Sequence, residues 1–247
     1  MSEPQETSQP PVIGAIELVK GVFPIDEIFP PTPAKARRES VLVLDAIEQL
    51  IGAAHVHYRR IQAAAMHIND LQEAAESEAT RLGTRANNVS IVADIGALIG
   101  TIQRLRGLVK RLPGDASTRL AKRAFAAGAK EVQKPRHHLE HLDSAMRDIS
   151  ETGQGAFGAV SWWYRTGEKD VRCAAFIPGT LAVGKAHVAT RVPKPEQITY
   201  AIGHVWASIA GSHFNVSAAF RAVTELEGRL REWGAEQAGE GWPSLRP

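Results

Sequence analysis

Six consecutive residues, Arg136-His137-His138-Leu139-Glu140-His141, put one guanidinium, three imidazoles and a carboxylate within reach of one another. Imidazole is the side chain whose ordinary pKa lies near neutrality, so it exchanges protons at working pH. A guanidinium grips a phosphate through two parallel hydrogen bonds. Together they supply what phosphodiester cleavage needs: a charge clamp on the phosphate and a proton shuttle beside it. The chain has no phosphate-cradling Gly loop, no Gly-x-Ser-x-Gly elbow and no dinucleotide fingerprint to offer a rival chemistry.

The element carrying this segment begins around Pro135. Proline suits the first turn of a helix and disfavours its interior, so it kinks the preceding helix or opens a new one. Leu139, Leu142, Met146 and Ile149 then cluster on one side of a helix, at 100° per residue. Arg136, His137, Glu140 and His141 fall on the other side, with His138 at the border. The polar group is thus expected at the start of a helix, facing outward to solvent, ligand or a partner subunit. Upstream, residues 81–136 hold twelve lysines and arginines against three acids, whereas residues 1–33 hold one lysine and five acids. That basic stretch either attracts a polyanion or forms the solvated faces of two helices; Lys130 and Lys134 are its members nearest the motif.

The spacing Arg-x4-His, with a polar residue directly after the arginine, resembles the motif of the HEPN family of helical ribonucleases and nucleotide-binding proteins. The stretch Arg136 to Asp143 is also similar to uncharacterised bacterial proteins with an Arg-x-x-Leu-Glu-His-x-Asp core. The HEPN resemblance implies an α-helical bundle whose motif helices meet across a homodimer to form a composite, metal-independent site. It implies that Arg136 holds the scissile phosphate and that His141 acts as general acid or base on the 2′-hydroxyl or the leaving oxygen. His137 then supports the pair, with Glu140 in a similar supporting place, and RNA is the implied ligand. No cofactor is expected. A β-meander after the motif helix departs from minimal HEPN domains, which are all helical.

Other readings stay open. Residues 137–141 also match His-x-x-Glu-His, the pattern of a zinc peptidase family in which His137 and His141 would ligate the metal and Glu140 would act as base. Glu225 and Glu227 are the downstream candidates for a third ligand. The long helices and a proline-rich arm equally suit a non-catalytic interaction or scaffold protein that binds a partner chain. His55 and His57 lie on different sides of the first helix, with His55 near the apolar stripe as a satisfied core histidine. Cys173 reads as buried, and Trp162-Trp163-Tyr164 as a strand with one aromatic packed inward.

The expected architecture is mainly α: a helical bundle with two very long helices and a small antiparallel β-meander before the last helix. An extended arm at 1–33, holding seven of the fourteen prolines, precedes a single domain at 34–238, with a loose tail at 239–247. Leu44, Ile47, Ile51, Ala54, Tyr58, Ile61, Ala65 and Ile68 recur at helical spacing in a first helix drawn to about Leu82. A second covers about Asn88 to Leu112, and an Ala-rich third runs to about Gln133. Strand-like runs fill 156–192, and one helix, or two broken at Gly211, follows from Pro195 to Glu236. A single cysteine excludes an internal disulfide framework and a cysteine-based zinc site. No apolar run reaches the roughly 20 residues of a membrane span, and no secretory signal is recognisable, so a cytoplasmic protein is expected.

Overall fold

The computed structural model describes residues 38–73, 77–112, 116–144, 157–166, 170–178, 202–209 and 211–237. The expected arm, the strand-like run at 181–192 and the tail lie outside them. Two long helices, α1 (Arg38–Glu73) and α2 (Glu78–Val109), pair along their length. The α1 positions chosen by periodicity are the buried ones: Leu44, Ile47, Ile51, Ile61 and Ile68 are almost completely covered. They meet Ile91, Ile95, Leu98, Ile102 and Leu105 of α2. α1 ends nine residues earlier than expected and α2 begins ten earlier. The cause is a cap at Ser77, whose Oγ accepts from the Thr80 amide at 3.0 Å while Glu78 sits in the first turn.

Two short helices follow, α3 (Ala116–Gly128) and α4 (Gln133–Glu140). Lys122 binds α3 back to the end of α2 by donating to the Leu112 and Lys110 carbonyls, which have no helical partner of their own. The sheet is four-stranded and antiparallel, in the order β2-β1-β3-β4, with β1 at Val160–Arg165, β2 at Val171–Phe176, β3 at Ile202–Ile209 and β4 at Ser212–Asn215. The last helix, α5 (Val216–Gln237), packs on α3, β3 and α1. One apolar core joins both long helices, α3, α5 and the inner face of the sheet. No helix among the described residues is long and apolar enough to cross a membrane.

The expected helix across 202–215 is a β-hairpin. Ile202, Val205 and Ile209 satisfy helical spacing, but Val205, Ala207 and Ile209 satisfy strand alternation as well, and all are buried. The β-branched and aromatic content of this run favours the strand. Gly211 turns the chain at φ 74°, and Asn215 starts α5 by accepting from the Ala218 amide at 2.9 Å. The sheet therefore extends past the expected meander limits. Opposite Ser161 to Trp163 the β1–β3 register slips by one residue, and His204 takes φ 49° at this bulge. Cys173, expected inside, is exposed, because β2 is an edge strand whose outer face carries Cys173 and Ala175 while Ala174 faces the core. Trp162 packs inward as expected and donates to Asn69 of α1 at 3.2 Å, and Trp163 is also buried.

Candidate functional site at the end of helix α4

A fourth helix does open beside Pro135, at Gln133, and the motif fills its second half up to the break at His141. Pro135 stands in the first turn, buried, where its missing amide proton costs nothing. Helical hydrogen bonding continues from His141 N to His137 O at 3.0 Å, and the backbone leaves the helix at His141, with φ −123° and ψ 39°. An eight-residue helix cannot hold itself together and depends on its seat. Leu139 packs on the core beside Gly96 of α2. His138 places Nδ1 3.4 Å from both the Ile209 carbonyl and the Ser212 Oγ at the β3–β4 turn. At the other end, with its amide oriented to present oxygen, Gln133 accepts from the Arg106 guanidinium at 2.7 Å.

That seat fixes which side chains look out. Arg136, His137, Glu140 and His141 are all exposed, as are Lys130 and Lys134 just upstream. The structure brings His137 and His141 together, with ring centroids 4.7 Å apart, and directs His138 away toward the hairpin. Arg136 is not free. Its Nε donates to Glu140 Oε1 at 2.8 Å, and Nη2 lies 2.7 Å from the same oxygen. The pair is a solvent-exposed i,i+4 bridge, worth about 0.3–0.5 kcal/mol, so an incoming phosphate can replace the carboxylate at small cost. Among the described residues, no three His, Cys, Asp or Glu side chains converge as a metal site requires. Glu227, offered as a third zinc ligand, lies on α5 and is held by His55 and Arg231.

Sequence reasoning missed two His–carboxylate pairs that flank α1. His57 Nδ1 lies 3.0 Å from Asp94 Oδ1, and Arg60 Nε lies 3.2 Å from Asp94 Oδ2. Asp94 is buried between the two long helices, and a buried carboxylate needs such partners. The signal was available: Asp94 interrupts the apolar stretch of α2. On the other side of α1, His55 Nε2 lies 2.6 Å from Glu227 Oε2, with Arg231 2.9 Å from Glu227 Oε1. The His55 hydrogen bond holds the Glu227 carboxyl below its ordinary value, partial burial opposes this, and Arg231 assists. The expectation that His55 and His57 face different sides agrees with this geometry. Both pairs link helices, His57 on α1 to Asp94 on α2 and His55 on α1 to Glu227 on α5.

Compared with profiles of known protein families, with curated proteins and with solved structures, the chain matches none.

Proposed function

We propose that this protein binds RNA along the basic surface of α3 and α4 and cleaves it without a metal at Arg136 and His141, as a homodimer. The observation that carries this reading is the outward grouping of Arg136, His137 and His141 at the end of a strongly basic stretch. Exposed Arg119, Arg123, Lys130 and Lys134 precede it in the chain, with Glu131 the one acid among the described residues from 116 to 136. Such a surface draws a phosphate backbone by releasing its counterions.

At the motif, Arg136 exchanges Glu140 for a phosphate oxygen and stabilises the charge that grows on phosphorus-bound oxygens. One imidazole takes the proton of the ribose 2′-hydroxyl. The freed oxygen attacks the adjacent phosphorus, the bond to the 5′-oxygen breaks, and a protonated imidazole returns a proton to that oxygen. The products are a 2′,3′-cyclic phosphate and a 5′-hydroxyl. His141 is the acid–base residue in this scheme, and His137, in ring contact with it, sets its orientation.

The test is incubation of single-stranded and structured RNA with the wild-type chain and with the His141→Ala and Arg136→Ala/His141→Ala variants, EDTA present throughout. Wild-type cleavage that is lost in both variants supports the reading. Cleavage that survives the double substitution sinks it, as does the absence of both binding and cleavage in the wild type. Binding that persists without cleavage in the wild type reduces the site to RNA recognition.

A further inference from the structure

Between Ala86 and Gln103 the side of α2 that faces away from α1 lacks the charges a solvent-facing helix normally carries, and exposed Arg81 and Arg85 flank its N-terminal end. At 100° per residue it presents Leu82, Ala86, Val89, Ala93, Ala97 and Gly100. Leu82 is 61% exposed and Val89 64%. From Ala86 to Gln103 the sole charged residue is Asp94, which turns toward α1 and is buried by His57 and Arg60. Since the α1-facing side is also apolar, α2 has the pattern of a helix covered on both sides.

Gly100 adds an independent observation. Glycine inside a helix is destabilising relative to alanine. A methyl group at Gly100 would meet nothing within 4 Å, and the same holds at Gly107, seven residues on. Packing among the described residues gives no reason for Gly100, whereas a body seated closely from outside does.

We propose that this body is a second copy of the chain, docked antiparallel through α2 about a two-fold axis at the level of Ile91. In that register the face is complementary to itself, which is what an isologous contact demands. Leu82 lies over Gly100 of the second copy, and Val89 lies beside its Ala93. Ala86 comes level with its Gly96, so that each large side chain meets a small one. Glu78, exposed near one end, comes level with exposed Arg104 of the second copy, a match of opposite charges. The seam from Leu82 to Gly100 runs about 27 Å. Its buried area, about 1,000 Å² in total, is near the lower edge for specific interfaces, the size class that includes weak and transient contacts.

Leu139 of α4 flanks this face: a methyl placed at Gly96 would touch its Cδ1 at 4.0 Å. A two-fold axis perpendicular to both α2 helices leaves the two α4 helices on the same edge of the seam. Their contact points are then about 15 Å apart along the helix direction. The bearing of this on a shared site rests on the RNA reading above; the dimer itself rests on α2 alone.

Sedimentation of the full chain between about 1 and about 100 µM tests the dimer. The wild type is expected to shift from monomer to dimer over this range. Val89→Glu, at an exposed position, is expected to weaken association at least about tenfold with unchanged circular dichroism. Gly100→Ala is expected to weaken it too, while its melting temperature stays equal or rises, since the added methyl meets nothing within one copy. A wild type that remains monomeric at the highest concentration overturns the proposal, including the case in which a different protein covers α2. A dimer indifferent to both substitutions overturns it equally. RNA cleavage absent from a protein that still dimerises through this face sinks the RNA reading and leaves the dimer standing.

Discussion

Gly158 is the position where one added methyl group should do most harm. Its φ is 53°, a region that costs an L residue with a side chain about 1–2 kcal/mol. A Cβ there would also lie 2.6 Å from the Ser208 carbonyl oxygen and 2.9 Å from its carbon. These are backbone atoms of β3 and cannot rotate aside. β3 would have to move, and with it the bonds that fasten the strand next door: Ser208 N to Ala159 O at 2.8 Å, and Ala159 N to Ser208 Oγ at 2.7 Å. Loss of one or two such buried bonds adds about 1–3 kcal/mol. Gly158→Ala should therefore cost about 2–5 kcal/mol, a fall in melting temperature of about 4–20 °C for a chain of this size. Urea denaturation followed by circular dichroism measures it. Gly158→Asn separates the two causes, since asparagine tolerates positive φ but keeps the Cβ. It should recover no more than about 1 kcal/mol. A cost for Gly158→Ala below about 1 kcal/mol would refute the argument. The damage should also reach α4, because the strand that must move ends at Ile209, the carbonyl against which His138 rests.

Three further expectations follow from single contacts. Glu140→Gln removes the carboxylate that competes for Arg136, and should tighten RNA binding about twofold, the value of an exposed i,i+4 pair; weaker binding in a fluorescence titration would count against phosphate capture by Arg136. Glu227 has its folded-state pKa lowered, so its contribution to stability is complete above the ordinary glutamate range, about pH 4.3, and fades as pH falls through the folded value. Glu227→Gln should flatten the acid side of a plot of melting temperature against pH, and an unchanged slope would contradict the His55 link. A methyl at Gly128 would fall inside the contact distance of the Ala222 methyl across the α3–α5 seam. Gly128→Ala should therefore destabilise by about 1–3 kcal/mol, and Ala222→Gly in the same chain should restore part of that loss. Additive effects of the two in chemical denaturation would refute the close approach.

Helix periodicity was readable wherever one element buried one face. The α1 stripe from Leu44 to Ile68 and the α2 stripe from Ile91 to Leu105 are the core, because a 3.6-residue repeat kept over about seven turns in α1 and about four in α2 has no strand interpretation. The same logic misleads at 202–215, where Ile202, Val205 and Ile209 fit the helical repeat while Val205, Ala207 and Ile209 fit the strand repeat. There the choice is decided by β1, a partner strand some forty residues earlier that periodicity cannot see. The Ser77 cap was legible as a serine followed by a glutamate, but the apolar residues on both sides of it masked the break. At the motif, helical angles placed Arg136, His137, Glu140 and His141 on the outer side correctly. The Arg136–Glu140 bridge is implied by i,i+4 spacing alone, whereas the docking of His138 on Ile209 and Ser212 depends on the fold. The links from His55 to Glu227 and from His57 to Asp94 join residues distant in the chain, and only the presence of a buried acid hinted at one of them.

The β1–β3 pairing sets the order in which this chain acquires its structure. α1 and α2 are joined by a short connection, so their pairing can begin at contacts close in sequence, such as Leu71 on Gly83, and spread along the helices. β1 and β3 must find each other across a much longer loop, with Val160 opposite Ala207. Closing that loop costs entropy before any ladder bond repays it, so the helical hairpin should form first and the sheet should condense on it. In stopped-flow experiments, truncation of Ile61 or Leu98 to alanine should slow refolding. Truncation of Val205 should leave refolding nearly unchanged and speed unfolding instead. The α4 seat needs both α2 and the β3–β4 turn, so the motif face would be among the last features of the molecule to be completed on folding and among the first to be lost on unfolding.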